Sequence, residues 1–270
     1  SSSIGLKSMR LQRQYNVLLI GDSCVDEWVY GSCDRLSPEA PIPVMKYREK
    51  QSAPGMAANV HENLKSLGIN VNFLTNKEPI TKTRYIDEKS NYQVFRLDTE
   101  DETRPINIAE LKMAAMHQTY DAVVISDYNK GFVPSDLFEL LASQNPGIKI
   151  FVDTKKTKLI VNRENIVYKI NKKEFELLDP DHIPNGKNII VTNGAQGALW
   201  DHQTFPVPIT RVFDVTGAGD TFLAALVFYY IQLDDMKEAI NFANRCAAIA
   251  VQNPGTYTLS MKDVDEILEL

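Results

Sequence analysis

Asp220 is the carboxylate in this chain best placed to handle a proton. It closes the run Gly217-Ala218-Gly219-Asp220, between Arg211–Thr216 and the long apolar run Phe222–Ile231. Gly217 and Gly219 admit backbone conformations that a side chain forbids, so the segment reads as a strand end, a tight turn and the start of a buried helix. Such a turn aims the amide N–H groups of Gly217, Ala218 and Gly219 at one point, at the positive end of a helix dipole. That is a seat for a phosphate or an oxyanion. A carboxylate beside a bound anion has one simple use. It takes the proton from a hydroxyl attacking phosphorus while the amides stabilise the charge that develops. The competing reading is structural, with Asp220 a first-turn acid favoured by the dipole.

Polar residues also end other apolar runs. Val17–Gly21 reads as a strand buried on both faces, and Asp22 to Asp26 follow it, where a parallel sheet places its ligand loops. Carboxylates accept several hydrogen bonds, so Asp22 and Asp26 suit sugar hydroxyls as well as an Asx turn. Asn59 lies in Ala53-Pro-Gly-Met-Ala-Ala-Asn-Val60, whose small residues let a ligand approach the backbone. Asn171 and Glu174 have the spacing of a capping box, N-cap and N3.

Positioning these residues takes a scaffold, and the apolar pattern supplies one. Extended segments are expected at Val71–Leu74, Ala122–Ser126, Lys149–Val152, Ile166–Ile170, Asn188–Thr192, Ala198–Asp201 and Thr204–Val207. A helix is expected to open at Ala53 and run to about Leu67, with Gly68 ending it. Further helices are expected over Ile108–His117, Pro134–Leu141, Asn171–Leu178, Gly217–Gln232 and Met236–Gln252, and Ser260 suits the cap of a terminal one. This alternation predicts an α/β fold, a mostly parallel sheet with helices on both faces. Trp28–Gly31 and Pro41–Tyr47, separated by Ser37-Pro-Glu-Ala-Pro41, and Thr83–Asp87 with Tyr92–Leu97 form a second group. They predict a small sheet standing off the main body, either a lid over a ligand or a meander packed on an edge.

The chain has 270 residues, 44% apolar and 24% charged, which suits one sizeable domain over 15–270 behind a flexible tail at 1–14. A net charge of −6 argues against nucleic acid or an anionic membrane as partner, so any phosphate must be held by local donors. Cys24, Cys33 and Cys246 form no Cys-x-x-Cys pair, and a reducing cytoplasm fits them. The longest apolar run is shorter than the about 20 residues a bilayer demands. The absence of Gly-x₄-Gly-Lys-Ser/Thr disfavours a Walker-type ATPase, and no Gly-x-Gly-x-x-Gly follows the first strand as in a dinucleotide-binding dehydrogenase.

Asp214-Val-Thr-Gly-Ala-Gly-Asp-Thr-Phe222 closely resembles the C-terminal signature of the ribokinase-like (PfkB) carbohydrate kinases. Gly21-Asp-Ser-Cys-Val-Asp26, Pro54-Gly-Met-Ala-Ala-Asn-Val60, Thr81–Arg84, Arg96–Asp98, Asn171-Lys-Lys-Glu174 and Val191–Gly194 extend the resemblance from Val17 to Ser260. Leu36-Ser-Pro-Glu-Ala-Pro-Ile-Pro-Val44 resembles the lid of the D-glycero-β-D-manno-heptose 7-phosphate kinase branch. The resemblance implies a ribokinase-like fold with a small β-sheet lid, its strands within 28–47 and 81–98. It implies Asp220 as base, Gly217, Ala218 and Gly219 as anion hole, and Asp26, Gly55 and Asn59 as sugar contacts. It implies Asn171, Glu174, Thr192, Gly194 and Asn244 at ATP, with Glu174 ordering Mg²⁺ through water. Asp214 and Thr216 lie where relatives hold a monovalent cation such as K⁺. Arg84 and Arg96 suit an acceptor's own phosphate, or are surface charges on lid strands.

The implied reaction moves the γ-phosphoryl group of ATP to the anomeric hydroxyl of heptose 7-phosphate, giving heptose 1,7-bisphosphate, with a homodimer through the lid as implied assembly. Rival readings are a kinase for another sugar, sugar phosphate or nucleoside, and a sugar- or nucleotide-binding regulator without turnover. The intact Asp220 and Asn-x-x-Glu motif argue against the regulator. Two departures stand out. Met56 occupies a position where the branch has glycine, and Asn76–Ile80 is shorter by about a helix and a strand, which should trim the sheet edge. No second nucleotidyltransferase domain, carried by some relatives, is covered.

Overall fold

The structure is a computed structural model that describes residues 13–99 and 102–269. The expected tail lies outside the described residues except for Arg13 and Gln14. Arg13 is ion-paired with Asp121 at 2.6 Å and lies over the Tyr15 ring, so the chain is anchored from that point.

The strands are β1 (Asn16–Gly21), β2 (Ser23–Leu36), β3 (Pro43–Met56), β4 (Asn70–Thr75), β5 (Thr81–Asp87), β6 (Tyr92–Thr99), β7 (Ala122–Asp127), β8 (Lys149–Thr154), β9 (Ile166–Asn171), β10 (Ile189–Thr192), β11 (Ala198–Trp200) and β12 (Gln203–Phe205). The helices are α1 (Ala57–Ser66), α2 (Ile108–His117), α3 (Asp136–Gln144), α4 (Lys172–Glu176), α5 (Ala218–Leu233), α6 (Met236–Ala250) and α7 (Met261–Glu269). Eight strands form the main sheet in the order β12-β11-β10-β9-β8-β7-β1-β4, parallel from β10 to β4. Only β11 and β12 turn back as an antiparallel hairpin extension.

Successive side chains of a strand point to opposite faces, and here both faces are dry. Val17 and Leu19 of β1 join Val124, Phe151, Val167 and Ile190 beneath α1, α5 and α6. Leu18 and Ile20 join Val123, Ile125, Ile150, Val152 and Tyr168 beneath α2 and α3. The continuous apolar runs of β1, β7, β8 and β9 follow from this double burial. Residues 220–229 of α5 are buried all round, which is why the helix reads as one unbroken apolar run.

The second sheet has the order β3-β2-β5-β6. It is built of longer strands than the sequence pattern suggests. β2 and β3 each span 14 residues, joined through Ser37–Ile42, where Ser37 N–H donates to Ile42 O at 2.8 Å. The expected helix opening at Ala53 is corrected: β3 continues through Ala53, Pro54 and Gly55, and α1 starts only at Ala57. Pro54 disfavours helix at Ala53 and lacks an amide donor, which an edge strand such as β3 tolerates. The expected strand end at Arg211–Thr216 is likewise absent. Phe213 and Asp214 donate their amides to Val251 O at the end of α6, not to a neighbouring strand.

β4 is the edge of the main sheet, and the chain passes straight from it through Asn76–Ile80 into β5. Asn76 staples this short crossing, accepting from Ser23 N–H at 2.7 Å and donating to Ser23 O and Glu78 O. Among the described residues no helix is long and apolar enough to cross a membrane.

Candidate active site

Parallel strands deliver their C-terminal ends to one edge of the sheet, and the polar ends of β1, β7, β8 and β9 meet α5 there. Gly217 takes φ 75°, ψ 3°, a left-handed turn that only glycine adopts without strain, and α5 begins at the next residue. The tightness has a second cause, since a Cβ on Gly217 would stand 2.6 Å from Asn59 Nδ2. Of the three amides expected to form the anion seat, that of Ala218 donates to Val215 O at 3.2 Å. The seat is therefore narrower than the motif suggests, with the Ala218 amide drawn back into the turn.

Asp220 is 3% exposed, and each of its carboxylate oxygens accepts one internal hydrogen bond. Asn59 Nδ2 donates to Oδ2 at 3.0 Å and the Tyr128 hydroxyl to Oδ1 at 2.7 Å. Asn59 cannot flip, because Asn63 Nδ2 donates to its Oδ1 while Asn63 Oδ1 accepts Leu259 N–H. Burial pushes the Asp220 carboxyl up to about 6, although the Asn59 and Tyr128 donors and the Lys169 ammonium act in the other direction. That puts its ionisation near neutral pH, where a general base works best.

Lys169 and Asp153 also belong to this corner, and motif reading missed them. Lys169 is 3% exposed on β9, with its Nζ 2.9 Å from Asp153 Oδ2 on β8. Burial, the largest single influence, disfavours the charged ammonium, but the carboxylates of Asp153, Glu174 and Asp220 together raise the Lys169 pKa overall. A Cβ on Gly219 would stand 2.9 Å from Lys169 Nζ, so the ammonium lies against the first turn of α5. A cation at the positive end of a helix is unfavourable by itself. Asp153 and Asp220 offset it, and a phosphoryl group would do so too. The signal in the sequence is one lysine inside the apolar strand Ile166-Val-Tyr-Lys-Ile170.

Asp26 and Gly55 lie on facing strands of the lid base. A Cβ at Gly55 would stand 2.2 Å from Asp26 Oδ2, so a side chain there would displace the Asp26 carboxylate. Asp26 is buried and paired with Arg84 at 2.8 Å, and the Arg84 guanidinium lies 5.5 Å over the Trp28 ring. Two candidate ligand contacts are thus partners of each other. Trp28 in turn rests on Gly255 of the main body, where a Cβ would stand 3.5 Å from the indole, so the lid is packed down on the core. Cys24 feels the carboxylates of both Asp26 and Asp220, which ties the lid base to the α5 corner, and burial first of all pushes its thiol up to about 12.

Asn171 and Glu174 form the capping box of α4: Asn171 Oδ1 accepts Glu174 N–H and Glu174 Oε2 accepts Asn171 N–H. Glu174 Oε1 also takes an ion pair from Lys155, whose Nζ lies 5.0 Å over the Tyr128 ring. With both oxygens engaged, Glu174 fits a metal through bridging water rather than by direct ligation, and no group of three or more acid, His or Cys side chains suits a metal ion among the described residues. Thr192 is the register partner of Asn171 on β10, and Gly194 opens the following turn with φ 50°.

Three candidates stand apart. Arg96 is an exposed neighbour of Arg84 across β5 and β6, paired with Asp98 at 2.9 Å. Asn244 is 4% exposed and donates to Phe205 O and Pro206 O, so it closes the end of β12 rather than facing the cleft. Asp214 accepts from Thr216 N–H, Thr216 Oγ1 and Gly255 N–H, which commits three of its roughly four lone pairs to the loop.

Residues 150–263 match the family described as pfkB family carbohydrate kinase. The chain is 30% identical over 311 residues to the bifunctional protein HldE of Campylobacter curvus, covering 96% of this chain and 66% of that protein. It is 28% identical over 300 residues to HldE of Nitratiruptor sp., covering 93% and 64%. The chain thus spans just under two thirds of the length of these curated relatives. Among solved structures, phosphofructokinase-2 from Escherichia coli in complex with potassium superposes with a TM-score of 0.71 at 18% identity, covering 95% of this chain and 99% of that one. Arabidopsis thaliana ribokinase complexed with ribose and ATP gives a TM-score of 0.67 at 14% identity, covering 96% and 100%. Sequence and fold agree: this chain carries a pfkB family carbohydrate kinase domain on a ribokinase-like fold.

Proposed function

We propose that this domain is an ATP-dependent sugar kinase in which Asp220 takes the proton of the attacking hydroxyl. The observation that carries the reading is the meeting of three groups at Gly219: the N-terminus of α5, the buried Lys169 ammonium and the Asp220 carboxylate. ATP enters as its magnesium complex, part of the substrate, with Asn171 and Glu174 ordering the metal-bound waters and Thr192 and Gly194 flanking the nucleotide. The hydroxyl approaches Asp220, its proton passes to the carboxylate, and the O–P bond forms as the bond from γ-phosphorus to the bridging oxygen of ADP breaks. Lys169 and the Gly219 amide hold the equatorial oxygens of the migrating group. Because Trp28 packs on Gly255, the acceptor enters by movement of the lid.

The acceptor we propose is a heptose 7-phosphate, phosphorylated at its anomeric hydroxyl. The resemblance of Leu36–Val44 to the heptose kinase lid supports it, as do the four Arg84 donor hydrogens not given to Asp26. Met56 favours a second reading, a smaller acceptor, because its buried side chain occupies space where the resembled branch has glycine. The lid exposes Leu36, Tyr47, Tyr92 and Phe95, and pairing with a second copy would cover them, with the reducing cytoplasm suited to its free thiols.

An ADP-release screen across heptose 7-phosphates, hexose phosphates, ribose and nucleosides tests the reading. Turnover is expected with a phosphorylated sugar and not with nucleosides. A response confined to nucleosides would overturn the branch, and ATP binding without ADP release on any acceptor would favour a regulator.

A further inference from the structure

Asp220 has a partner that no motif contains. Tyr128 follows β7 and is held at three levels. Its amide donates to Asp22 Oδ2 at 2.8 Å. The next residue, Asn129, turns the chain with φ 57° and donates to Asp127 Oδ1 at 2.9 Å. Asp127 is itself fixed by Thr154 Oγ1 at 2.7 Å and Lys156 Nζ at 2.9 Å.

The phenol ring packs against Cys24, Met56 and Ile80 at the lid base, with Lys82 and Lys155 ammonium groups 5.8 and 5.0 Å from its centroid. Met56 holds φ 56°, ψ −130°, a backbone conformation that favours glycine, and yet its side chain is 4% exposed and packed into this cluster. Strain kept in order to bury a side chain points to a use for that side chain.

We infer that Tyr128 is a positioning residue for the base: its hydroxyl holds Oδ1 of Asp220 and so turns the free lone pairs of the carboxylate toward the acceptor, while Met56 props the phenol in place. The inference rests on the kinase reading of this site and adds to it a residue and a reason for Met56. With Asn59 on Oδ2 and Tyr128 on Oδ1, the carboxylate plane has no freedom to rotate. Roughly two of its four lone-pair positions stay open for a hydroxyl.

Tyr128 also tunes the base. A donor to the carboxylate favours its charged form, so removing that donor raises the Asp220 pKa further. The other groups facing Asp220 are Lys169 on β9 and Asp153 on β8, which are paired with each other, and Cys24 on β2. The phenol stays neutral because burial and then the Asp220 charge raise its own pKa well above the ordinary value.

The test is a carboxyl ¹³C NMR titration of Asp220, run beside the pH profile of kcat/KM, on wild type, Tyr128→Phe, and protein with 3-fluorotyrosine at 128. Tyr128→Phe should raise the Asp220 pKa by about one unit, move the acidic limb up equally and lower kcat about tenfold or more with little change in KM for the acceptor. Fluorotyrosine, a stronger donor, should lower the pKa. It decides the matter should the phenylalanine variant not fold. Met56→Ala should shift the pKa as Tyr128→Phe does, by less. An Asp220 pKa unmoved by both replacements, or activity lost equally at every pH with the limb fixed, would overturn the inference. Wild type without turnover on any acceptor would sink the kinase reading, while the NMR titration would still decide the Tyr128 contact.

Discussion

At the N-terminus of α5, charges have internal partners on separate elements: Asp220 is held from α1 and from the end of β7, Lys169 from β8. The lid holds most of its charges with more exposed partners. Arg96 pairs with Asp98 two residues along the same strand, and Arg48 with Glu49 and Glu88, on open surface. Arg84 with Asp26 is intermediate, buried but within the lid base. On the proposed kinase reading, the difference teaches that the α5 corner is pre-organised by internal contacts, whereas the solvated charges of the lid can rearrange around an acceptor. In a desolvated corner removing one partner strands another. On a solvated sheet water replaces it.

The largest expected effect breaks the corner itself. Asp220→Asn should cut kcat by about 10²- to 10⁴-fold while ATP affinity, measured by calorimetry, stays near wild type. Equal turnover would remove Asp220 from the mechanism. Next, Lys169→Ala should lower kcat by about 10²-fold or more and destabilise the fold by about 3–5 kcal/mol, since it leaves Asp153 buried without its counter-charge. Thermal unfolding of the Lys169→Ala, Asp153→Asn double variant should recover part of the stability but none of the rate, separating the two contributions.

The pH dependence sharpens the comparison further. Asp220 must be ionised to accept a proton, so kcat/KM should rise with pH up to about 6 and then level. Stability moves the other way. The folded state holds this proton more tightly than the unfolded chain, so stability falls as pH rises from the ordinary carboxylate range through about 6. A rate profile flat across pH 5–7 would contradict the assignment of the base.

Smaller effects belong to the lid. Arg84→Ala should raise KM for a phosphorylated acceptor about tenfold and leave an unphosphorylated one nearly unchanged. Arg96→Ala should change stability by less than about 1 kcal/mol and KM by no more than a few-fold, in keeping with an exposed pair. Similar KM effects for both would show that the lid reads charge by overall field rather than through a built contact.

Legibility followed the range of the interactions. The turn at Gly217, the start of α5 and the capping box at Asn171 and Glu174 involve neighbours within four residues, so their letters carry the geometry. The doubly buried strands are legible because burial on both faces leaves little room for polar letters, Lys169 in β9 being an exception. The start of α1 is not legible locally, since Pro54 and Met56 take their conformations from pairing with β2 across the lid. Asn244, expected at the nucleotide, has an amide that closes the end of β12, a partner 38 to 39 residues away.

The sequence by itself determined the αL turn, the apolar helix behind it and the acid at its mouth, because local sterics and burial patterns demand those residues. Only the tertiary structure decided that Lys169 and Tyr128 meet that acid. They lie on β9 and just beyond β7, and only the parallel order of the sheet brings those strand ends together. The tertiary structure likewise paired Arg84 with Asp26, since one strand must lie beside another before their side chains can find a partner.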